Sequence, residues 1–233
     1  MTREQLAKTI DHTSLNPSGT YREIMQTCVD VLMFDFASIC IPPYYVDYAN
    51  EFAGKSNLII GTVIGFPFGY STTKIKMEET ERAIFSGARE IDMLMNITAF
   101  KSLIYKDVVD DIKSVVNMAK GIHKSILVKV IIETCYLNDS EKKLACDLVA
   151  EGGADFVKTS TGFGSGGAKP SDIKLLKEHI DTRNYNLSIK ASGGVSTLSN
   201  LELLLKRGAN RIGTSNGDKI MREFAYREEK NAT

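Results

Sequence analysis

The chain has 233 residues, 43% of them hydrophobic, and its 29 basic side chains balance its 29 acidic ones. This length suits one large α/β barrel or two small domains, and no basic stripe indicates nucleic-acid binding. No apolar run reaches the length of a transmembrane helix and residues 1–20 lack a signal-peptide core, so we expect a cytoplasmic protein without a membrane partner.

Strand and helix patterns alternate along the first half of the chain. After a short helical start, strand patterns at 9–13, 37–41 and 58–65 are followed by helical patterns at 21–33, 44–52 and 71–86. The third helical pattern carries Ile75, Ala83 and Ile84 at helical spacing. A strand pattern at 90–96 precedes the clearest apolar stripe, which predicts an amphipathic helix and comprises Val108, Val109, Ile112, Val115, Val116 and Ala119.

The alternation continues to the end of the chain. A strand pattern at 126–132 precedes a helix capped by Asn138 or Asp139, and one at 155–158 precedes a helix opened by Pro170. Strands at 187–191 and 210–213 are followed by helices at 197–206 and 219–226. The pattern predicts an α/β fold, a (β/α)8 TIM barrel formed by residues 1–233 as a single domain with a short N-terminal helical extension.

An open, doubly wound sheet is the alternative fold. Its dinucleotide-binding form carries a GxGxxG motif after the first strand. Here the glycines at 162–166 follow the sixth strand and do not have that spacing. The barrel is therefore favoured.

The cysteines and histidines give little support to metal or disulfide chemistry. Cys28, Cys40, Cys135 and Cys146 show no CxxC spacing, which fits the reduced thiols of a cytoplasmic protein. The three histidines are scattered without HxH or HExxH spacing. We expect neither a metal ion nor a cofactor.

Two lysines mark the ends of neighbouring strands. Lys158 ends the sixth strand and Lys190 lies near the end of the seventh, while Asp92 lies on the fourth. A single lysine there could simply reach water, and an ion pair with Asp92 could be purely structural. Two buried ammonium groups, however, favour loss of a proton from one of them, because burial and like charge both penalise the protonated amine. A neutral amine is a nucleophile, so we expect a Schiff base, with Asp92 and Lys190 relaying protons through water. Lys129, on the fifth strand, belongs to this neighbourhood if its side chain points inward.

Glycine-rich loops follow the last two strands. Gly193 and Gly194 follow the seventh strand, and a segment containing Gly213 and Ser215 follows the eighth. Backbone N–H groups of these loops, with a helix N-terminus, form the usual phosphate site of TIM barrels. The glycines could equally belong to ordinary turns, but beside the lysine pair they favour a phosphorylated carbonyl substrate.

Over nearly its whole length the chain resembles the deoxyribose-phosphate aldolases. The resemblance is carried, in chain order, by Ile10-Asp11-His12-Thr13, Ile39-Cys40-Ile41-Pro42, Val63-Ile64-Gly65-Phe66-Pro67, Glu90-Ile91-Asp92-Met93, Val128-Lys129-Val130-Ile131-Ile132-Glu133-Thr134, the segment from Phe156 to Phe163, that from Lys190 to Gly194, and that from Arg211 to Ser215. It implies a class I, metal-independent aldolase that cleaves 2-deoxy-D-ribose 5-phosphate to acetaldehyde and D-glyceraldehyde 3-phosphate. The ligands would then be a small phosphorylated sugar and acetaldehyde, and the sequence leaves a homo-oligomer, dimer or higher, open.

The resemblance also implies roles for individual residues. It assigns the Schiff base to Lys158 and proton transfer to Asp92 and Lys190. It places five residues along the substrate pocket: Asp11, Thr13, Cys40, Lys129 and Thr161.

Five positions depart from the family's pattern. Ser196 stands where the family usually has arginine, and Asn16 where it often has lysine. Asn216 replaces a usual serine, while Thr98 and Leu103 replace usual glycines. The departures spare the expected catalytic residues, so phosphate binding is the property that they affect.

Two other functions remain open at this stage. A phosphosugar isomerase on the same barrel would want a carboxylate base for enolisation and no strand-end lysine pair. A barrel that only binds a phosphosugar or a partner protein would form no covalent intermediate. Reduction with borohydride in the presence of acetaldehyde distinguishes the aldolase from both, because only the aldolase acquires an irreversible adduct on Lys158.

Overall fold

The computed structural model describes residues 1–232, and within them eight parallel strands and ten α-helices alternate. The strands are β1 (Ile10–Thr13), β2 (Ser38–Ile41), β3 (Ile60–Ile64), β4 (Glu90–Leu94), β5 (Leu127–Ile131), β6 (Phe156–Lys158), β7 (Ser188–Ser192) and β8 (Arg211–Thr214). The helices are α1 (Arg3–Ala7), α2 (Tyr21–Phe34), α3 (Val46–Ala53), α4 (Thr73–Phe85), α5 (Ile97–Lys101), α6 (Tyr105–Ile122), α7 (Asp139–Glu151), α8 (Pro170–Arg183), α9 (Leu198–Lys206) and α10 (Gly217–Ala232).

The sheet closes on itself in the order β1 to β8. The first strand pairs on both sides: Asp11 lies opposite Ser38 of β2 and opposite Gly213 of β8. The fold is therefore a (β/α)8 TIM barrel in a single domain, as the alternating patterns predict, and the open doubly wound sheet is wrong. In such a barrel the carboxyl ends of all eight strands meet at one face, where active sites form.

The apolar stripe predicted for residues 108–119 forms the inner face of α6. Val108, Ile112, Val115 and Ala119 are fully buried against the strands. Truncating a buried Ile or Leu to Ala in such a core costs about 2–5 kcal/mol. Burial of this stripe therefore holds α6 against the sheet.

The buried face of α4 differs from the one that its apolar residues predict. Ile75 is exposed, whereas Lys76 is fully buried. The Lys76 ammonium donates to the Leu94 carbonyl oxygen (2.9 Å) and to Asp111 Oδ2 (2.5 Å), and Thr73 Oγ1 donates to Asp111 Oδ1 (2.8 Å). This polar contact ties α4 to α6 and to the end of β4, a tertiary pairing that hydrophobic periodicity does not reveal.

A short helix, α5, was not expected from the sequence. Its N-cap is Asn96, whose side chain accepts a hydrogen bond from Ala99 N. Two residues after α5 ends, Leu103 has a φ of 62°, in the left-handed region where glycine is favoured. Leu103 is one of the positions where the resembled family usually has glycine, and a leucine side chain in this conformation adds strain.

No helix among residues 1–232 is both long and apolar enough to span a bilayer. The last helix, α10, runs to Ala232 and is longer than the segment 219–226 expected from its pattern.

Candidate active site

A cavity of about 540 Å³ opens at the carboxyl ends of β1, β6, β7 and β8. Lys158, to which the resemblance assigns the Schiff base, lines it. So do most of the residues assigned to substrate or phosphate: Thr13, Thr161, Gly193, Gly194, Gly213 and Ser215. Ser196, Asn16 and Asn216, which depart from the family's pattern, line it too. The cavity is of the size that holds a small-molecule ligand.

Lys158 is the last residue of β6 and reaches the cavity from its floor. Its side chain is 3% exposed, and Nζ donates to Asp92 Oδ2 across the barrel at 2.8 Å. A lysine so enclosed has lost most of its hydration, and a single carboxylate compensates for it. Lys158 therefore forms an ion pair with Asp92 and also lines the cavity.

Asp92 holds three ammonium groups at once. Its Oδ2 accepts from Lys158 (2.8 Å) and Lys190 (2.7 Å), and its Oδ1 accepts from Lys129 (2.9 Å). Burial alone would raise the pKa of Asp92, but the three lysines outweigh it and hold that pKa well below its ordinary value. The contact between Asp92 and Lys190 is direct, so the proton relay expected to run through water needs none between these two groups.

Asp11, Cys40 and Lys129 lie one layer beneath the cavity and do not line it. Lys190 Nζ lies 2.5 Å from Asp11 Oδ2, an ion contact without the alignment of a hydrogen bond. Cys40 Sγ lies 4.0 Å from Asp92 Oδ2, and burial together with that carboxylate raises the pKa of the thiol. These three residues contact the charged groups of the site, and their expected part in substrate binding stays a prediction.

Three further residues complete this lower layer and received no role from the sequence. Ser38, Glu90 and Arg211 are the first residues of β2, β4 and β8. The Arg211 guanidinium donates to Glu90 Oε1 at 2.9 Å, and the Ser38 hydroxyl donates to Glu90 Oε2, also at 2.9 Å. Strand parity is the signal that would have found Glu90, because it precedes Asp92 by two residues and so shares its face.

Glu133 fixes the loop that follows β6. Its backbone has a φ of 49°, and its buried carboxylate accepts from Thr161 N (3.1 Å) and from the Thr161 hydroxyl. Thr161 and the neighbouring Phe163 line the cavity. The strained conformation of Glu133 therefore serves to hold one wall of the site.

The loops after β6 and β7 are in direct contact at the other end of the cavity. Ala168 N donates to the Gly193 carbonyl oxygen at 3.0 Å, and Gly167 packs against Gly193 with no space for a side chain. Gly194 and Ser196 follow on the same wall, and Ser196 is exposed to the cavity. This end of the cavity is lined by backbone and a hydroxyl group.

Among residues 1–232 no group of three or more His, Cys, Asp or Glu side chains is arranged to hold a metal ion. The three carboxylates under the cavity, Asp11, Glu90 and Asp92, are instead in contact with ammonium and guanidinium groups. The polar core of the barrel is thus an ionic cluster of protein groups.

The sequence and the fold both have close counterparts. The sequence model of the DeoC/LacD family aldolases matches residues 5–220. The chain is 44% identical to the deoxyribose-phosphate aldolase of Carboxydothermus hydrogenoformans, over 97% of each chain, and 47% identical to that of Clostridium perfringens, over 92% of this chain and 93% of the relative. A solved tetrameric deoxyribose phosphate aldolase from Aeropyrum pernix superposes with a TM-score of 0.88 at 29% identity, covering 96% of this chain and 92% of its own.

These matches span the barrel and include the strand ends that carry Asp92, Lys158 and Lys190. Identity above 40% along nearly the whole of both chains is far more than a shared barrel architecture requires. The resemblance inferred from the motifs is confirmed, and the chain belongs to the DeoC/LacD family of aldolases.

Proposed function

We propose that this aldolase reversibly cleaves 2-deoxy-D-ribose 5-phosphate to acetaldehyde and D-glyceraldehyde 3-phosphate through a Schiff base on Lys158. The names of its relatives support the substrate. The observation that carries the mechanism is the position of Lys158: of the three lysines that contact Asp92, it is the one that lines the cavity.

The reaction begins when the neutral Lys158 amine attacks the aldehyde carbon of the open-chain sugar. Loss of water leaves a protonated imine, which accepts electrons from the neighbouring C2–C3 bond. The hydroxyl on C3 gives up its proton as that bond breaks, so glyceraldehyde 3-phosphate leaves and an enamine of acetaldehyde remains. Protonation of the enamine carbon and attack by water then release acetaldehyde and restore the amine.

Asp92 and Lys190 are the groups to which these protons pass. Asp92 Oδ2 lies 2.8 Å from the Lys158 amine and 2.7 Å from the Lys190 ammonium, so a proton can move among the three groups without a large rearrangement. The raised pKa of Lys190, which burial opposes but Asp11 and Asp92 enforce, keeps its ammonium charged at neutral pH. The protonated Lys190 amine therefore does not compete as a nucleophile, and we assign that role to Lys158.

The phosphate of the substrate is proposed to bind at the opposite wall of the cavity. Gly193, Gly194, Gly213 and Ser215 line that wall, and α10 begins at Gly217 beside it. Backbone amides and a helix N-terminus attract an anion without a charged side chain. Ser196 offers a hydroxyl where related enzymes usually have an arginine.

The proposal is tested by trapping the imine. Incubation with acetaldehyde and borohydride should convert Lys158 to its N-ethyl derivative, located by peptide mass spectrometry, and should abolish cleavage of 2-deoxy-D-ribose 5-phosphate. The Lys158→Met variant should fold, lose turnover and lose the fast-forming adduct. A matched control is Lys120→Met, which removes a lysine that pairs with Asp155 near the start of β6 and should leave trapping and turnover unchanged. An adduct that persists in Lys158→Met, or turnover that survives there, would place the Schiff base elsewhere.

Assembly and location complete the proposal. The Aeropyrum pernix relative is a tetramer, which supports a homo-oligomer for this chain. All four cysteines are free thiols, which supports a reducing compartment such as the cytoplasm.

A further inference from the structure

We propose that Glu90 and Arg211, at the end of the barrel opposite the cavity, are positioning residues that set the protonation state of Lys158 through the net charge of a buried ionic ring. The inference rests on the proposed role of Lys158 as the Schiff-base lysine. Neither residue lines the cavity, so any effect on catalysis must pass through the groups between them and Lys158.

One arm of the ring runs through β4 and β5. Lys158 Nζ donates to Asp92 Oδ2 at 2.8 Å, and Asp92 Oδ1 accepts from Lys129 at 2.9 Å. The Lys129 ammonium also donates to Glu90 Oε2 at 2.6 Å, and Glu90 Oε1 accepts from Arg211 Nη2 at 2.9 Å. Each step is a contact between opposite charges, from the cavity floor to the other end of the barrel.

The second arm returns through β1 and β7. Arg211 Nε donates to Asp11 Oδ1 at 2.6 Å, and Asp11 Oδ2 lies 2.5 Å from Lys190 Nζ. Lys190 in turn donates to Asp92 Oδ2 at 2.7 Å, which closes the ring. The Ser38 hydroxyl, from β2, lies 2.9 Å from both Asp11 Oδ1 and Glu90 Oε2.

The ring contains one more cation than it has carboxylates. Its cations are Lys129, Lys158, Lys190 and Arg211, and its carboxylates are Asp11, Glu90 and Asp92. The lysines and carboxylates are at most 4% exposed, and even the Arg211 side chain is only 14% exposed. Because charge is costly in such an enclosed place, loss of one proton relieves the surplus.

Lys158 is the cation of the ring with the fewest carboxylate partners. Lys129, Lys190 and Arg211 each contact at least two carboxylates, while Lys158 contacts Asp92 alone and shares it with two other lysines. A neutral Lys158 therefore leaves no carboxylate without a cation. Loss of its proton takes the ring from a net charge of +1 to zero.

The groups that face the two ends of the ring come from five strands. Lys158 is faced by Asp92 from β4, by Lys190 from β7, and more distantly by Lys129 from β5 and Cys40 from β2. Arg211 is faced by Asp11 from β1, Ser38 from β2 and Glu90 from β4. The Cys40 thiol is neutral at physiological pH because burial and Asp92 raise its pKa, so it does not alter the count.

The charge count predicts opposite effects for the two ends of one ion pair. In Arg211→Gln the ring starts neutral, so deprotonation of Lys158 leaves a buried negative charge and becomes harder. In Glu90→Gln it starts with a surplus of two charges, so deprotonation becomes easier. A unit charge roughly 10 Å away at an effective dielectric constant of about 20 corresponds to a shift of about one pH unit. A purely structural role would impair both variants in the same way.

The experiment measures kcat/KM for 2-deoxy-D-ribose 5-phosphate, and the rate of borohydride trapping with acetaldehyde, as functions of pH. The acid limb, the pH range over which the rate falls as the pH is lowered, should move to higher pH by about one unit in Arg211→Gln. In Glu90→Gln it should move to lower pH by about one unit. The double variant restores the surplus of one charge and should return the limb to its wild-type position. Arg211→Lys, which keeps the charge, and Lys120→Met, which removes a cation outside the ring, should leave the limb unmoved.

Shifts in the same direction, or no shift in either single variant, overturn the inference. If only one single variant folds, a shift of its acid limb in the expected direction supports the inference, and any other result overturns it. If neither folds, the charge-conserving double variant decides: an unmoved limb supports the charge count, and a displaced limb overturns it. Wild-type protein that forms no adduct on Lys158 would refute the proposed function itself, whereas an adduct with unshifted limbs refutes only the role of Glu90 and Arg211.

Discussion

Gly167→Ala should weaken phosphate binding without a change at the reacting carbon. A Cβ atom on Gly167 would lie 2.6 Å from the Gly193 carbonyl carbon and closer still to its oxygen. Ordinary contact begins near 3.4 Å, so the two loops must separate by about 0.8 Å or more. The Cβ atom is attached rigidly to one backbone and meets backbone atoms of the other loop, so neither can rotate away as a flexible side chain can.

The magnitude follows from what Gly193 does in the proposed site. The separation breaks the hydrogen bond from Ala168 N to the Gly193 oxygen, now 3.0 Å, and moves the Gly193 amide that we propose binds the phosphate. N–H···O bonds tolerate only about 0.5 Å of variation, and one to a charged group contributes about 1.5–3 kcal/mol. We therefore expect KM for 2-deoxy-D-ribose 5-phosphate to rise roughly 10- to 100-fold, with kcat within about threefold of wild type.

Steady-state assays with phosphorylated and unphosphorylated 2-deoxyribose separate this effect from general damage. The unphosphorylated sugar should be cleaved with unchanged kinetics, because it never used the amide. Gly166→Ala is the matched control: its Cβ would meet Cys135 Cβ at 3.2 Å and would lie more than 4 Å from Gly193, so both substrates should behave as in wild type. An equal loss with both sugars, or a fall in kcat at constant KM, would refute the assignment of Gly193 to phosphate.

Three more predictions concern other parts of the barrel. Ser196→Arg should lower KM for the phosphorylated sugar several-fold and leave 2-deoxyribose unaffected, since it adds a charge-assisted contact at the phosphate wall; equal effects on both sugars would contradict that placement. Leu103→Gly should raise the free energy of unfolding by up to about 1 kcal/mol in urea titrations, because Leu103 is 70% exposed and has a φ of 62°; a loss of stability would show that its side chain contributes more than the strain costs. Burial, opposed by Asp30, lowers the pKa of His12 below its ordinary value of 6.5. The unfolded chain therefore takes up that proton at a higher pH than the folded chain, and stability should fall as the pH drops below 6.5. His12→Gln should flatten this part of the stability profile, and an unchanged slope just below pH 6.5 would assign it to other groups.

The sequence was informative wherever a local pattern matched a local structure. Eight strand–helix units predicted the barrel, and the stripe from Val108 to Ala119 predicted α6, because their periodicities match the geometry of a strand or helix with a buried face. Proximity of Lys158, Lys190 and Asp92 was also predictable, since strand ends meet at one face of a barrel.

What could not be predicted depends on partners distant along the chain. Lys76 is buried because its ammonium donates hydrogen bonds to Asp111 and to the Leu94 carbonyl oxygen. No pattern near Lys76 in the sequence predicts these two partners. Asp11 and Lys129 are fully buried and do not line the cavity, and a strand pattern does not show how deep in the barrel a side chain lies. Arg211 pairs with residues of β1 and β4, so its part in the site emerges only once the barrel is closed.

The ionic ring also constrains the order in which the barrel can assemble. Strands β1 to β6 alone bring together Asp11, Glu90 and Asp92 with Lys129 and Lys158, an excess of one negative charge. Docking β7 adds Lys190 and neutralises that core, and docking β8 adds Arg211 and makes it positive. A six-stranded intermediate must keep its carboxylates hydrated, because burying an unpaired charge is prohibitive. By this count the cluster is neutral only once β7 has docked, and the electrostatic surplus that favours a neutral amine arises in the step that adds β8 and closes the barrel.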